Sequence, residues 1–108
     1  MTDKEEFKII KAAAEQGCAL AQYYLGDCYM QNPKAKQQDY EEAVEWFRKA
    51  AQQGNSKAQN YLGICYYLGK GVEKDYKEAG KWIGLAAEQG DSEAQDNLNF
   101  FKNKVNHE

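Results

Sequence analysis

One segment of this chain is written twice. Ala21-Gln22-Tyr23-Tyr24-Leu25-Gly26-Asp27-Cys28-Tyr29 returns as Ala58-Gln59-Asn60-Tyr61-Leu62-Gly63-Ile64-Cys65-Tyr66, displaced by 37 residues and changed only at Tyr23/Asn60 and Asp27/Ile64. Asp39-Tyr40, Ala43, Trp46, Ala50-Ala51 and Gly54 return as Asp75-Tyr76, Ala79, Trp82, Ala86-Ala87 and Gly90, now displaced by 36, so the first copy carries one extra residue between Tyr29 and Asp39. A period of this size marks a solenoid, in which each unit has an apolar face that only a neighbouring unit covers. Half-units extend the pattern outward. Ala13-Ala14-Glu15-Gln16-Gly17 matches Ala86 to Gly90, and Ala94-Gln95 with Leu98 matches Ala58-Gln59 with Leu62. The chain divides accordingly into an N-terminal half-repeat (1–17), a first repeat (18–54), a second repeat (55–90) and a C-terminal capping helix (91–108), all in one domain.

Each repeat reads as helix, turn, helix. In the first helix Ala21, Tyr24, Leu25, Cys28 and Tyr29 fall on one face at helical spacing, which predicts a buried stripe. In the second, Ala43, Trp46, Phe47 and Ala50 do the same. Gly26 and Gly63 lie inside helices at a cost of about 1 kcal/mol each against alanine. Their recurrence predicts close approach of the second helix and its large aromatic side chain. Gly17, Gly54 and Gly90 stop the second helices where a left-handed residue is needed. Asn55 or Ser56, then Asp91-Ser92, start the next first helices. Cys18-Ala19 at the matching place offers no good cap. Asp39-x2-Glu42 and Asp75-x2-Glu78 read as capping boxes, as do Thr2-x2-Glu5 and Asp3-x2-Glu6 at the opening helix. Ser56-x2-Gln59 and Ser92-x2-Gln95 also fit that pattern. Gly80 and Gly84 stand where Val44 and Arg48 stood, a ridge that either admits a partner helix or is tolerated. The last helix directs Ala94, Leu98, Phe101 and Val105 inward, and turns polar at Asn97 and Lys102, where earlier copies are aromatic.

The Ala-x3-Leu-Gly-x2-Tyr motif, the Gly69-x-Gly71-Val72-x2-Asp75-Tyr76 turn, the Ala79-x2-Trp82 step and the Ala86-Ala87-x2-Gly90 stop recur in register. On these motifs the chain resembles the Sel1-like repeats, relatives of the tetratricopeptide repeat. The resemblance implies an all-α fold, a short right-handed α-solenoid of antiparallel helix pairs with about six helices. It departs from the family at Gln31 to Gln38, where the Gly-x-Gly-Val turn is replaced. Secreted cysteine-rich relatives staple each helix pair with a disulfide. Here the second helix offers Ala50-Ala51 and Ala86-Ala87 instead of the needed cysteine. Cys28 and Cys65 then read as small buried hydrophobes, and Cys18 as an exposed, incidental thiol.

Composition narrows the function classes. A net charge of −3 lacks the basic stripe of nucleic-acid binders and disfavours an anionic membrane surface. No apolar run approaches the roughly 18 residues of a membrane span. The opening segment, Met1 to Glu6, is polar and acidic rather than a secretory signal, which predicts a cytoplasmic protein. Catalytic groups are few. The one histidine, His107, sits in the tail. There is no zinc framework, and Gly69-Lys70-Gly71 is a turn rather than a phosphate loop. No nucleophile–base pair is in view. No enzyme activity, cofactor or metal is expected.

What remains is surface. The first helices of such a stack line its concave side. Their positions outside the core stripe are the candidate partner-binding residues: Gln22, Tyr23, Asp27 and Met30, then Gln59, Asn60, Ile64 and Tyr67, and in the cap Gln95 and Asn99. The resemblance implies a bacterial scaffold or adaptor that binds an unidentified protein or peptide, as a monomer or weak homo-oligomer. That reading predicts an unpaired apolar patch near Tyr23, Ile64 and Tyr67. Two others compete. A hydrolase or small-ligand binder, like the β-lactam-binding cysteine-rich relatives, predicts a deep pocket with converging polar groups. A self-associating structural module predicts an apolar surface beside Phe7 and Ile9 or around Phe100.

Overall fold

The computed structural model describes residues 4–106, with side chains described through Lys104. The expected caps at Thr2 and Asp3, the inward Val105 side chain and His107 lie outside that description. Among the described residues there are six α-helices and no strand: α1 (Lys4–Glu15), α2 (Ala19–Gln31), α3 (Gln37–Gln52), α4 (Ser56–Leu68), α5 (Tyr76–Glu88) and α6 (Ser92–Asn106). Each helix packs chiefly on its neighbours in sequence, so the stack is elongated, 46 × 28 × 21 Å.

The interior is one layer repeated. Trp46 clusters with Ala14, Ala21 and Leu25. One period later, Trp82 shares a cluster with Ala51, Ala58 and Leu62, the same repeat positions. Alanines let the helices approach, and the indole fills the space they leave. Each tryptophan is held by its own helix. The Nε1–H of Trp46 donates to Glu42 at 3.1 Å and that of Trp82 to Glu78 at 3.3 Å. Lys49 and Lys81 lie over the two rings, 4.6 and 4.8 Å from their centres. A third layer opens with Ala86, Ala87, Ala94 and Leu98, and has no tryptophan.

The helical glycines are points of close approach. A Cβ on Gly26 would meet the Phe47 ring at 2.8 Å. On Gly63 it would meet Ile83 Cγ1 at 2.5 Å and the Ala79 carbonyl at 2.9 Å, so the crowding neighbour is aromatic in one repeat and aliphatic in the other. Gly80 is taken up within the fold, since a Cβ there would meet Phe101 of α6 at 2.8 Å, while nothing lies within 4 Å of the Gly84 position. Gly80 therefore receives this chain's own last helix, and Gly84 faces open space.

Caps explain the boundaries. Asn55 accepts from the Ala58 N–H, Asp91 from that of Ala94, and Asp75 from those of Lys77 and Glu78. The anticipated reciprocal boxes do not close. Glu42 and Glu78 are engaged by the tryptophans, and the Asp75 N–H goes to the Tyr66 carbonyl. In the first repeat the helix begins earlier than its Asp39-x2-Glu42 pattern predicted. Asn32 accepts from the Lys34 N–H in a local turn, α3 starts at Gln37, and Asp39 reaches back to the Lys36 N–H at 2.9 Å. The missing glycines account for this. Gly69 ends α4 with φ 71°, whereas Asn32 ends α2 in extended geometry. Cys18, at the start of α2, makes no side-chain cap.

Candidate functional site

The repeated glutamines belong to the framework. Gln22 donates to the Ala14 carbonyl at 3.1 Å, Gln59 to Ala51 at 3.1 Å and Gln95 to Ala87 at 3.2 Å. Gln53 then donates to both the Gln22 Oε1 and the Gly17 carbonyl, and Gln89 to both the Gln59 Oε1 and the Gly54 carbonyl. This amide ladder ties each interrepeat turn to the turn after it. Gln22 and Gln59 are buried, so they neither present a concave surface nor complete a capping box.

Asn60 is also internal. It is fully buried, donates to Glu93 at 3.2 Å and accepts from Asn97 at 3.1 Å. Tyr23 occupies the same position one repeat earlier and packs on Tyr61, ring centres 5.7 Å apart, and on Phe47 at 6.2 Å. Burial, with help from Tyr61, pushes the Tyr23 phenol well above its usual range. Each pair joins consecutive first helices, aromatic at one junction and amide at the other. Asn97 is thus a junction residue rather than a solvent-facing substitution. The neighbouring Tyr24, expected in the core, is 49% exposed, since among the described residues no earlier first helix packs beside α2 as α2 packs beside α4. Asp27 is half-buried and accepts from Gln31. Gln95 and Asn99 are exposed. Asn99 stands at the Gly26 and Gly63 position, which faces the second helix of a repeat rather than the groove.

Three of the candidates meet on α4 and its flanks. Ile64 and Leu68, one turn apart, form a ridge between two apolar hollows. The first, about 170 Å³, is walled by Met30 and Gln31 of α2, Phe47 of α3, Tyr61 and Cys65 of α4, and Lys70. The second, about 220 Å³, is walled by Tyr67 of α4, Ile83 of α5 and Asn97, Phe100 and Phe101 of α6. Tyr67 is fixed there by rings on three sides: Tyr76 at 5.3 Å, Phe101 at 6.0 Å and Phe100 at 6.2 Å. Leu68 and Phe100 are each 56% exposed. Among the candidates, then, Met30, Ile64 and Tyr67 come together, and Leu68, Phe100 and Lys70 join them. The column Asp27, Ile64, Phe100, turning apolar from repeat to repeat, carried that signal in the sequence.

The hollows hold little chemistry. Cys65 is buried, and burial pushes its thiol up to about 12, against the opposing effect of Lys70. Such a thiol stays protonated at neutral pH and is a poor nucleophile. Cys18 is exposed, and no disulfide joins the three cysteines. A wider polar depression of about 450 Å³ lies over Tyr66 and Val72 to Asp75, where Asp75 is already engaged as a cap. Among the described residues no group of three or more His, Cys, Asp or Glu could hold a metal, and no helix is long and apolar enough to cross a membrane.

A solenoid of helical hairpins with an apolar groove along its first helices is a class of protein, and the comparisons place it. A family model for the Sel1 repeat matches residues 19–55 and 56–91, and the chain belongs to that family. Sel1-repeat proteins generally act as protein–protein interaction modules and are typically non-enzymatic. The chain is similar to c5321, a protective antigen of uropathogenic Escherichia coli displaying an SLR fold: 42% identity, TM-score 0.84, 90% of this chain and 20% of that one. It is similar to a Sel1 repeat protein of Oxalobacter formigenes: 38% identity, TM-score 0.83, 92% of this chain and 29% of that one. It also resembles cysteine rich protein B of Helicobacter pylori: 28% identity, TM-score 0.80, 91% and 73%. The chain thus spans under a third of the first two. No curated protein matches the sequence significantly.

Proposed function

We propose that this chain is a scaffold or adaptor module that grips a protein segment on the face of α4, with Ile64 and Leu68 inserted between the partner's side chains. The observation that carries the reading is the pair of adjoining hollows. At about 170 and 220 Å³, each is smaller than the roughly 300–1,000 Å³ of small-molecule sites. Each suits one large side chain of a peptide. Their walls are mostly apolar and aromatic, the composition of binding anchors, and the one thiol among them, Cys65, is held protonated by burial. The module acts without catalysis. Its three unbridged thiols accord with a reducing compartment such as the cytoplasm.

End-to-end stacking is the weaker reading, despite the exposed Ile9 and Phe100. To continue the stack by its own rule, a second helix would have to approach α6 at the Gly63 position. Asn99 stands there, with side-chain atoms where the two repeats leave none.

The test is capture of partners from the source cells by three baits: wild type, Ile64→Arg/Leu68→Arg and Leu85→Arg. Leu85 is an exposed apolar residue of α5, away from the groove. Partners held by wild type and Leu85→Arg but lost by the double variant support the reading. Equal recovery by all three removes it.

A further inference from the structure

Charge is distributed unevenly around the groove. The two turns that follow α2 and α4 carry Lys34, Lys36, Lys70 and Lys74, all exposed, and none of the four makes an ion pair among the described residues. Asp75, in the second turn, is directed at the N-terminus of α5, which leaves Glu73 as their one outward acid. The opposite edge of the stack carries exposed Glu88 and Glu93, and there Asp91 caps α6 and pairs with Lys57 at 3.1 Å. This is a basic edge on a chain whose net charge is −3.

The first hollow opens at that edge. Its walls include Gln31, the last residue of α2, and Leu68, the last of α4, so both lysine-bearing turns begin at its rim. Lys70 is the one charged residue in its walls, and the second hollow has none. The Lys70 ammonium lies over the Tyr40 ring, 4.7 Å from its centre, and the residue is exposed. A partner carboxylate there gains a charge-assisted hydrogen bond and displaces no existing ion pair. A partner cation would meet four like charges, and like-charge apposition discriminates between partners more strongly than attraction alone.

We infer that the segment held on α4 is acidic and amphipathic: two large apolar side chains seated in the hollows astride Ile64 and Leu68, and carboxylates beside Lys70 and the neighbouring turn lysines. This rests on the proposed protein-binding role of the groove and adds the chemistry of the partner.

A random dodecapeptide phage library, panned on the folded chain at low salt, tests it. The expected consensus has paired apolar residues with Asp or Glu beside them. Synthetic peptides carrying that consensus should lose affinity more than tenfold for Ile64→Arg. They should lose about threefold for Lys70→Gln, as one exposed ion pair commands, a difference that shrinks as salt rises. Circular dichroism and Leu68→Arg, at a site already exposed, separate lost binding from lost folding. A basic or uncharged consensus that still depends on Ile64 overturns the inference and leaves the protein-binding reading intact. Binders indifferent to Ile64 and Leu68 overturn both. No enriched binder, or concentration-dependent dimerisation abolished by Ile64→Arg, also overturns the inference, the latter by making a second copy the occupant.

Discussion

Replacing Gly63 by alanine sets two effects of known size against each other. In an exposed helix the change gains about 1 kcal/mol of propensity. Here the new methyl would sit 2.5 Å from Ile83 Cγ1, 2.9 Å from the Ala79 carbonyl and 3.1 Å from the Ile83 backbone nitrogen. A side chain can turn away, but two of these three atoms are backbone. To restore ordinary contact α4 and α5 must part by about half an ångström, enough to forfeit roughly a quarter of the dispersion well at each contact between them. Overpacking of this kind costs about 1–3 kcal/mol. We expect Gly63→Ala to be less stable than wild type by about 1–2 kcal/mol, a fall in Tm of roughly 5–15 °C. Gly84→Ala is the control. Nothing lies within 4 Å of its Cβ, so only the propensity gain operates and the variant should be more stable by about 0.5–1 kcal/mol. Urea melts with unchanged m-values read both. A Gly63→Ala protein as stable as wild type would refute the close-approach explanation of the repeated glycine.

The glutamine ladder should be costly to break: Gln59→Leu removes one hydrogen bond from the Ala51 carbonyl and one from the Gln89 amide while each keeps its bond to Gly54, and a loss of about 0.5–1.5 kcal/mol is expected in the same melts. A maleimide probe should label Cys18 at once and reach Cys65 only as the protein unfolds, as peptide mapping will show. Stability should fall in alkali. Cys65 titrates near 12 when folded and near 9.0 when exposed. Over that interval the folded state holds the extra proton, so its stabilisation is complete below pH 9 and lost as pH rises towards 12, by up to about 1.4 kcal/mol per unit. In Cys65→Ala that part of the slope should be absent from urea midpoints taken between pH 8 and 11.

The repeat made the fold legible, because covering each apolar face requires a neighbour at a fixed period. The caps at Asn55, Asp75 and Asp91 were legible for a local reason: cap and amide lie within three residues. Tyr23 and Tyr24 were not. Adjacent residues point about 100° apart on a helix and both are aromatic, so the choice rests with the helices alongside, and among the described residues α2 has a neighbouring first helix on one side alone. The glutamines were misplaced because their chemistry suggests surface, while the partners that bury them come 31 and 30 residues later, at Gln53 and Gln89. For the same reason Asn60 looked exposed, although its acceptor, Glu93, and its donor, Asn97, both lie across a helix junction. In the groove, Ile64 stood out as a change from Asp27. Leu68 did not, because a residue at a helix end carries no periodic signature.

Partners are proposed to seat on α4. Amide and methyl chemical-shift mapping tests it most directly, using the consensus peptide titrated into isotope-labelled protein. Shifts should concentrate at Met30, Ile64, Tyr67, Leu68 and Phe100, with the outer faces of α3 and α5 unmoved. Shifts confined to those outer faces, or to the turns at Gly54 and Gly90, would contradict it.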